Sequence, residues 1–192
     1  RVENILPVCA SAKTSPHNWV FLEGVKAALQ ADSAYEDGFY ETPPEKGLKA
    51  FARVYAGWAY SQTFYREKLH QRGGFETAED LLLDWEQDHL AWDANNLLAK
   101  LATWQAGDIS ANDRYQNDFT AALESIQART SVIACDNDLY FQPADNAIEV
   151  ASIPNAELRV YESPWGHCAP SPGNGTPFAD YLDDTIRELI HD

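Results

Sequence analysis

The chain has 192 residues, of which 45% are hydrophobic and 23% charged, which is typical of a globular domain and excludes a disordered segment. Its formal net charge of −16 argues against nucleic acid or an anionic membrane as a partner, because both bind basic surfaces. An odd number of cysteines argues against a disulfide framework and favours a reducing, cytoplasmic compartment. The sequence contains no apolar run long enough to span a membrane.

The first predicted element is a buried strand at residues 5–9, since ILPVC is a short apolar run followed by a turn cluster. The long stretch that follows has no predicted strand. Apolar residues at helical spacing predict helices there at residues 18–31, 47–71, 75–90 and 93–104. Thr77 is the expected N-cap of the third of these helices. Residues 112–128 are polar and predict a loop with a short helix.

The last third of the chain predicts a βαβ unit. Residues 131–135 are a β-branched run, residues 143–152 have helical character, and residues 158–161 form a second strand. Two apolar strands joined by a helix are expected to lie parallel in one sheet. A final helix is predicted over residues 177–191, with Thr176 as its N-cap.

These elements divide the chain into three predicted regions. Residues 1–16 form a core strand and loop, and residues 17–128 form a mainly helical lid region. Residues 129–192 form the C-terminal core, which carries the candidate acid Asp138 and the candidate base His167. A block of helices inserted into a parallel-sheet protein is the pattern of a lid. The predicted fold class is therefore α/β, with parallel sheet strands and an inserted helical lid.

An acid and a histidine follow the two strands of the βαβ unit. Asp138 comes after the first strand and His167 after the second, so both project from the carboxyl edge of the sheet, where open α/β folds place their chemistry. A carboxylate that fixes the tautomer of a histidine makes it a general base near neutral pH. The pair predicts the acid and base of a nucleophilic triad, with Asp136 as the alternative acid. Gly166 gives the backbone room for a sharp turn.

The nucleophile of such a triad is missing from the sequence. An α/β-hydrolase serine lies in G-x-S-x-G and precedes the acid and the histidine, and no such motif occurs here. Cys168 adjoins His167, but neighbouring side chains on an extended chain point apart, so a small pocket residue is predicted instead of a nucleophile. The histidines have no metal-ligand spacing and no phosphate-binding glycine loop is present, so neither a metal nor a cofactor is expected.

Several strings resemble the C-terminal part of the homoserine O-acetyltransferase-like family of α/β-hydrolases, over nearly the whole chain. They are Asp138-Leu139-Tyr140-Phe141-Gln142-Pro143, Ile153-Pro154-Asn155-Ala156-Glu157-Leu158, Ser163-Pro164-Trp165-Gly166-His167, Val8-Cys9-Ala10-Ser11-Ala12 and Asp93-Ala94-Asn95-Asn96. The resemblance implies a partial α/β-hydrolase fold in which Asp138 and His167 are the triad acid and base. It also implies that the serine and the oxyanion-hole residues lie before Arg1, so the chain is expected to be part of a longer protein.

The resemblance also implies substrate-binding positions. Arg53 and Tyr60, in the long predicted helix, match family positions that face the substrate carboxylate, and their spacing of about two helical turns lets both face one pocket. A solvated helix charge is the alternative for Arg53. In homoserine acetyltransferases the residue after the catalytic histidine is usually Asp, which holds the substrate amine. Cys168 occupies that position here, which favours the hydrolase branch of the family.

We therefore expect a serine hydrolase that acts on an ester or acyl substrate, with water as the acyl acceptor. Two alternatives stay open: an acetyl-CoA-dependent O-acyltransferase of the homoserine O-acetyltransferase type, and a truncated, non-catalytic interaction module. The expected partners are the small-molecule substrate, an N-terminal segment or chain that carries the nucleophile and, in a homodimer, a second copy of the chain.

Overall fold

A three-stranded parallel sheet forms around β2 (Arg129–Cys135), which lies between β1 (Asn4–Ile5) and β3 (Ala156–Tyr161) in the computed structural model. The structure describes residues 2–171 and 177–191. The pairing of β2 with β3 runs from Thr130 opposite Ala156 to Cys135 opposite Tyr161. Backbone pairing with the first segment extends past β1, because Val8 bridges Ile133. The predicted parallel sheet is thus confirmed.

The helices within the described residues are α1 (Pro16–Gln30), α2 (Glu45–Ala59), α3 (Gln62–Arg66), α4 (Ala78–Leu90), α5 (Ala94–Gln105), α6 (Phe119–Glu124), α7 (Pro143–Val150) and α8 (Phe178–His191). Two short 3-10 helices cover Leu69–Gly73 and Gly166–Cys168. Most predicted helices are present with shifted ends. The predicted N-cap Thr176 lies outside the described residues.

The chain divides into two compact units. The strand unit comprises Arg1–Lys13, Tyr60–Thr63 and Asp108–Asp192. In it, α7 packs against β2 and β3, and α8 packs against β2. Every residue of β2 after Arg129 is buried, which explains why this strand is apolar along most of its length.

The helical unit comprises Thr14–Ala59 and Phe64–Gly107. Its helix α2 packs against α1 and α4, and α1 also contacts α5. The buried face of α2 consists of residues at helical spacing: Gly47, Leu48, Phe51, Ala52, Ala56 and Ala59. The predicted cap of α4 is confirmed, because Thr77 and Asp80 form a capping box in which each side chain accepts from the other's backbone N–H.

The single long helix predicted over residues 47–71 is wrong. The chain instead forms α2, α3 and a 3-10 helix, and the break between α2 and α3 lies at residues 60–61. Residues Tyr60–Thr63 belong to the strand unit, where the Ser61 hydroxyl donates to the Pro164 carbonyl oxygen. Lys68 then takes a left-handed φ of 54°, which interrupts regular helix again. The spacing of apolar residues alone did not reveal the break, because the shorter helices keep the same helical spacing.

Among the helices of residues 2–171 and 177–191, none combines the length and the apolar character that a membrane crossing requires.

Candidate active site

The Asp138 and His167 side chains meet at the carboxyl edge of the sheet. His167 Nδ1 lies 2.9 Å from Asp138 Oδ2. A carboxylate can only accept a hydrogen bond, so Nδ1 is the donor in this contact and Nε2 is the ring nitrogen left for another partner. The Asp138 side chain is 0% exposed and that of His167 is 34% exposed, so the histidine is the member of the pair that solvent reaches.

The loop after β2 holds Asp138 in one orientation. Asp138 Oδ1 accepts hydrogen bonds from the backbone N–H groups of Tyr140 at 2.8 Å and Phe141 at 3.2 Å. Both carboxylate oxygens therefore have donors, which offsets the loss of water around a buried acid. The same two aromatic rings pack against the His167 ring, with centroids 4.9 Å and 5.5 Å away, and restrict its rotation.

Asp136, the alternative acid, has different partners. Its Oδ1 accepts a hydrogen bond of 2.8 Å from the backbone N–H of Ser163 and lies 3.7 Å from the Cys135 sulfur. Its own N–H donates to the carbonyl oxygen of Tyr161 at 3.1 Å. Asp136 thus ties the ends of β2 and β3 together, and the geometry pairs Asp138 with His167.

Gly166 sets the position of His167 within the second 3-10 helix. Its φ is 62°, a left-handed conformation that L side chains rarely adopt. A Cβ at this position would lie 2.8 Å from the Ser61 nitrogen and 3.2 Å from the Asn137 carbonyl oxygen. The sharp turn predicted here is present, and it brings the backbone of residues 60–61 against the residue before His167.

Cys168 and Tyr60, two of the predicted substrate-binding residues, are hydrogen-bonded to each other, and Cys168 directly follows His167 in the chain. Burial raises the pKa of the Cys168 thiol to about 12, although a hydrogen bond with Tyr60 acts in the opposite direction. The Tyr60 ring also packs against Trp165, with centroids 6.3 Å apart. The raised pKa favours the neutral form of the Cys168 thiol at physiological pH.

Arg53, the third predicted substrate-binding residue, lies on α2 in the helical unit. Its guanidinium donates hydrogen bonds to the carboxylates of Glu79 and Glu86 on α4. These two partners, Glu79 foremost, raise the pKa of Arg53 above its ordinary value. Because α2 ends at Ala59, the premise that Arg53 and Tyr60 share one helix face is wrong. A role for Arg53 in substrate binding stays a prediction.

Cys9 is a further neighbour of the pair, and it was not predicted from the sequence. Its Sγ, a carboxylate oxygen of Asp138 and a ring nitrogen of His167 all lie within 4.8 Å of one another. Burial, followed by the charge of Asp138, raises the pKa of the Cys9 thiol, which argues against a nucleophilic thiolate. A signal was available, because Cys9 is the last residue of the strand predicted over residues 5–9, and parallel strands end at the same edge of their sheet.

Curated relatives of the chain are esterases and acetyltransferases. The chain is 32% identical over 170 residues to a probable esterase of Corynebacterium glutamicum, covering 87% of this chain and 48% of that protein. It is 30% identical over 192 residues to the ethyl acetate hydrolase of Pseudomonas veronii, with coverages of 98% and 54%. It is 28% identical over 178 residues to the homoserine O-acetyltransferase of Nostoc punctiforme, with coverages of 88% and 50%. The chain thus spans about half the length of these relatives.

Solved structures similar to the chain are also esterases and acetyltransferases. No protein-family model matches the chain. An acetylester hydrolase from Corynebacterium glutamicum superposes with a TM-score of 0.92 at 29% identity, covering 98% of this chain and 54% of that one. A homoserine O-acetyltransferase from Bacillus anthracis, at 20% identity and a TM-score of 0.84, shares the fold over 100% of this chain and 54% of its own length. The described residues therefore adopt a partial α/β-hydrolase fold, and the resemblance of the chain to the homoserine O-acetyltransferase-like α/β-hydrolases is confirmed.

Proposed function

We propose that the chain supplies the acid and the base of an α/β-hydrolase that cleaves small, uncharged esters. The observation that carries the proposal is the 2.9 Å contact between His167 Nδ1 and the fully buried Asp138 carboxylate. A histidine held in this way can take a proton on Nε2 while the carboxylate stabilises the resulting imidazolium. The relatives named as esterases, which have higher identity than the acetyltransferase, support the same reading.

In the proposed reaction, His167 accepts the proton of a serine hydroxyl as the serine attacks the ester carbonyl. His167 then returns that proton to the departing alcohol, which leaves an acyl-enzyme. In the second half of the reaction, His167 takes a proton from water as the water oxygen attacks the acyl group, and it returns that proton to the serine oxygen as the carboxylic acid departs. Asp138 keeps the imidazole in the same tautomer throughout both steps.

We assign the nucleophile to a segment outside these 192 residues. Among residues 2–171 and 177–191, no serine hydroxyl forms a hydrogen bond with His167. The relatives are about twice as long as this chain, which leaves room for a segment that carries the serine and the oxyanion hole. The catalytic unit would therefore be the longer protein.

The proposed substrate class follows from the surroundings of His167. The neutral Cys168 thiol cannot balance the charge of a substrate ammonium, whereas an ester of a simple alcohol needs no such partner. The relative named ethyl acetate hydrolase acts on an ester of this kind. Short acyl esters of uncharged alcohols are thus the substrates that we expect.

An acetyl-CoA-dependent O-acyltransferase is the second candidate, because a homoserine O-acetyltransferase is 28% identical over most of the chain. The two reactions share the acyl-enzyme and differ in the acceptor, which is water in one and a hydroxyl group in the other.

We further propose that the helical unit acts as a lid, that Arg53 contributes to substrate binding, and that the protein is a cytoplasmic homodimer. The free thiols of the three cysteines are compatible with a reducing compartment.

The test is a comparison of full-length variants with ethyl acetate, p-nitrophenyl acetate, and acetyl-CoA with homoserine. We expect hydrolysis of both esters, loss of that activity in His167→Gln, and little change in His191→Gln, whose side chain is exposed at the end of α8. Faster acetylation of homoserine than hydrolysis would establish the acyltransferase instead. A folded full-length protein with none of these activities would favour the interaction module.

A further inference from the structure

Three chain segments bring three different donor atoms to one point at the carboxyl edge of the sheet. Cys9 follows β1, Asp138 follows β2 and His167 follows β3, so each neighbouring strand contributes one residue. Their sulfur, oxygen and nitrogen atoms lie within 4.8 Å of one another. The Cys9 backbone is fixed by a hydrogen bond of 2.8 Å from its N–H to the carbonyl oxygen of Ile133 in β2. The thiol is therefore anchored to the same strand from which Asp138 projects.

This combination of donors matches a borderline divalent cation. Zn²⁺ binds thiolate, imidazole and carboxylate ligands in tetrahedral geometry, which places the donor atoms roughly 3.3–3.6 Å apart. The contact between His167 Nδ1 and Asp138 Oδ2 must lengthen by a few tenths of an ångström, and the Cys9 sulfur must approach. Harder cations such as Mg²⁺ prefer a complete set of oxygen ligands, which this cluster does not offer.

We propose that Cys9, Asp138 and His167 form an inhibitory binding site for Zn²⁺ or a similar thiophilic cation. The cation binds the Cys9 sulfur, an Asp138 oxygen and His167 Nδ1, and the fourth position is left for water. One proton leaves Cys9 for solvent, and the His167 proton moves through solvent from Nδ1 to Nε2. His167 then has no lone pair on Nε2, so it can no longer accept the proton of a nucleophile.

The electrostatics of the cluster favour a bound cation, because the Cys9 thiolate and the Asp138 carboxylate would otherwise repel each other. A Cys9 thiolate and the Asp138 carboxylate together neutralise the charge of a divalent cation, so a bound cation favours the ionised form of both ligands. Asp138 is fully buried and Cys9 is 5% exposed, so the cation must enter past the partly exposed His167 ring.

The site can be tested by binding, independently of catalysis. Cd²⁺ is titrated into the full-length protein, and the ultraviolet charge-transfer absorption of a cadmium thiolate is recorded. Calorimetry with Zn²⁺ in buffers of different ionisation enthalpy then gives the stoichiometry and the protons released. We expect one cation per chain, a thiolate band and release of about one proton. Cys9→Ser is expected to lose the band and to weaken Zn²⁺ binding by at least roughly 100-fold, since even loss of an outer partner can cost 10–100-fold.

Cys168→Ser is the matched control, because Cys168 also adjoins His167 but its sulfur does not belong to the cluster. The control is expected to keep the band and the affinity. His167→Gln, which keeps Cys9, is also expected to weaken cation binding. This second variant tests the site if Cys9→Ser does not fold. The proposal is overturned if no cation binds, if Cys9→Ser and His167→Gln bind as wild type does, or if Cys168→Ser loses the band. None of these results bears on the ester hydrolysis proposed above, since binding is measured without substrate.

Discussion

Replacement of Gly166 by alanine is the most direct test of how the fold positions His167. Gly166 has a φ of 62°, and the left-handed conformation costs about 1–2 kcal/mol for a residue with a Cβ. The added Cβ would also lie 2.8 Å from the Ser61 nitrogen, closer than real Cβ contacts come. Because that neighbour is backbone, it can relieve the contact only if residues 60–61 shift, and overpacking of this kind costs about 1–3 kcal/mol.

The two effects together predict a loss of about 2–5 kcal/mol in the free energy of unfolding of Gly166→Ala. Gly74→Ala is the matched control, because Gly74 also has a positive φ, of 89°, but nothing lies within 4 Å of its Cβ position. The control is therefore expected to lose only the conformational term of about 1–2 kcal/mol. Denaturant-induced unfolding of both variants and the wild type gives these differences.

Gly166→Ala is also expected to lower ester hydrolysis by the full-length protein, since His167 is the next residue and its contact with Asp138 depends on the turn. The reasoning would be refuted if Gly166→Ala lost no more stability than Gly74→Ala. It would also be refuted if a destabilised Gly166→Ala kept wild-type kcat, because the close approach at residues 60–61 would then not position the histidine.

Other predictions concern the acid, a buried carboxyl and a helix cap. Asp138→Asn is expected to lower kcat by about 10⁴-fold, because an amide no longer fixes the His167 tautomer, and Asp136→Asn far less. Burial raises the pKa of the Glu149 carboxyl, so its stabilising effect is complete only below the unfolded-state pKa and is lost as pH rises through the folded-state pKa. Glu149→Gln is therefore expected to unfold at higher denaturant than wild type at pH 7 but not in acid, unlike a substitution of the exposed Glu162. Thr77→Ala is expected to lower the free energy of unfolding by about 1 kcal/mol, which Thr77→Ser largely restores.

The pairing of an acid with a histidine could be predicted from the sequence because it follows from topology. Two apolar strands joined by a helix lie parallel, and residues just beyond their ends share one edge. Strand order alone does not separate Asp138 from the alternative Asp136, because both follow β2 closely. The choice depends on the hydrogen bonds of the loop, in which Ser163 N–H engages Asp136 and His167 engages Asp138.

The break after α2 and the closeness of Cys9 to Asp138 were not predicted, and both misses have a common physical reason. Both depend on contacts between residues that are distant in sequence. Ser61 leaves the helical pattern to bond the Pro164 carbonyl oxygen, 103 residues away. Cys9 reaches Asp138 because β1 pairs beside β2, which local periodicity does not specify. The periodicity of apolar residues predicts individual helices and strands, whereas the packing partners of each one depend on the order of strands in the folded sheet.

The two acids in the loop after β2, Asp136 and Asp138, have different structural roles. Asp136 joins the ends of β2 and β3, because it accepts from Ser163 N–H while its own N–H donates to the Tyr161 carbonyl oxygen. Asp138 lies two residues further on and holds His167, which follows β3. The separation between the acid and the histidine therefore depends on how firmly Asp136 fixes the strand ends. In the proposed mechanism, a variant at Asp136 would thus act on catalysis only through the geometry of the pair, whereas one at Asp138 would remove the charge that stabilises the imidazolium.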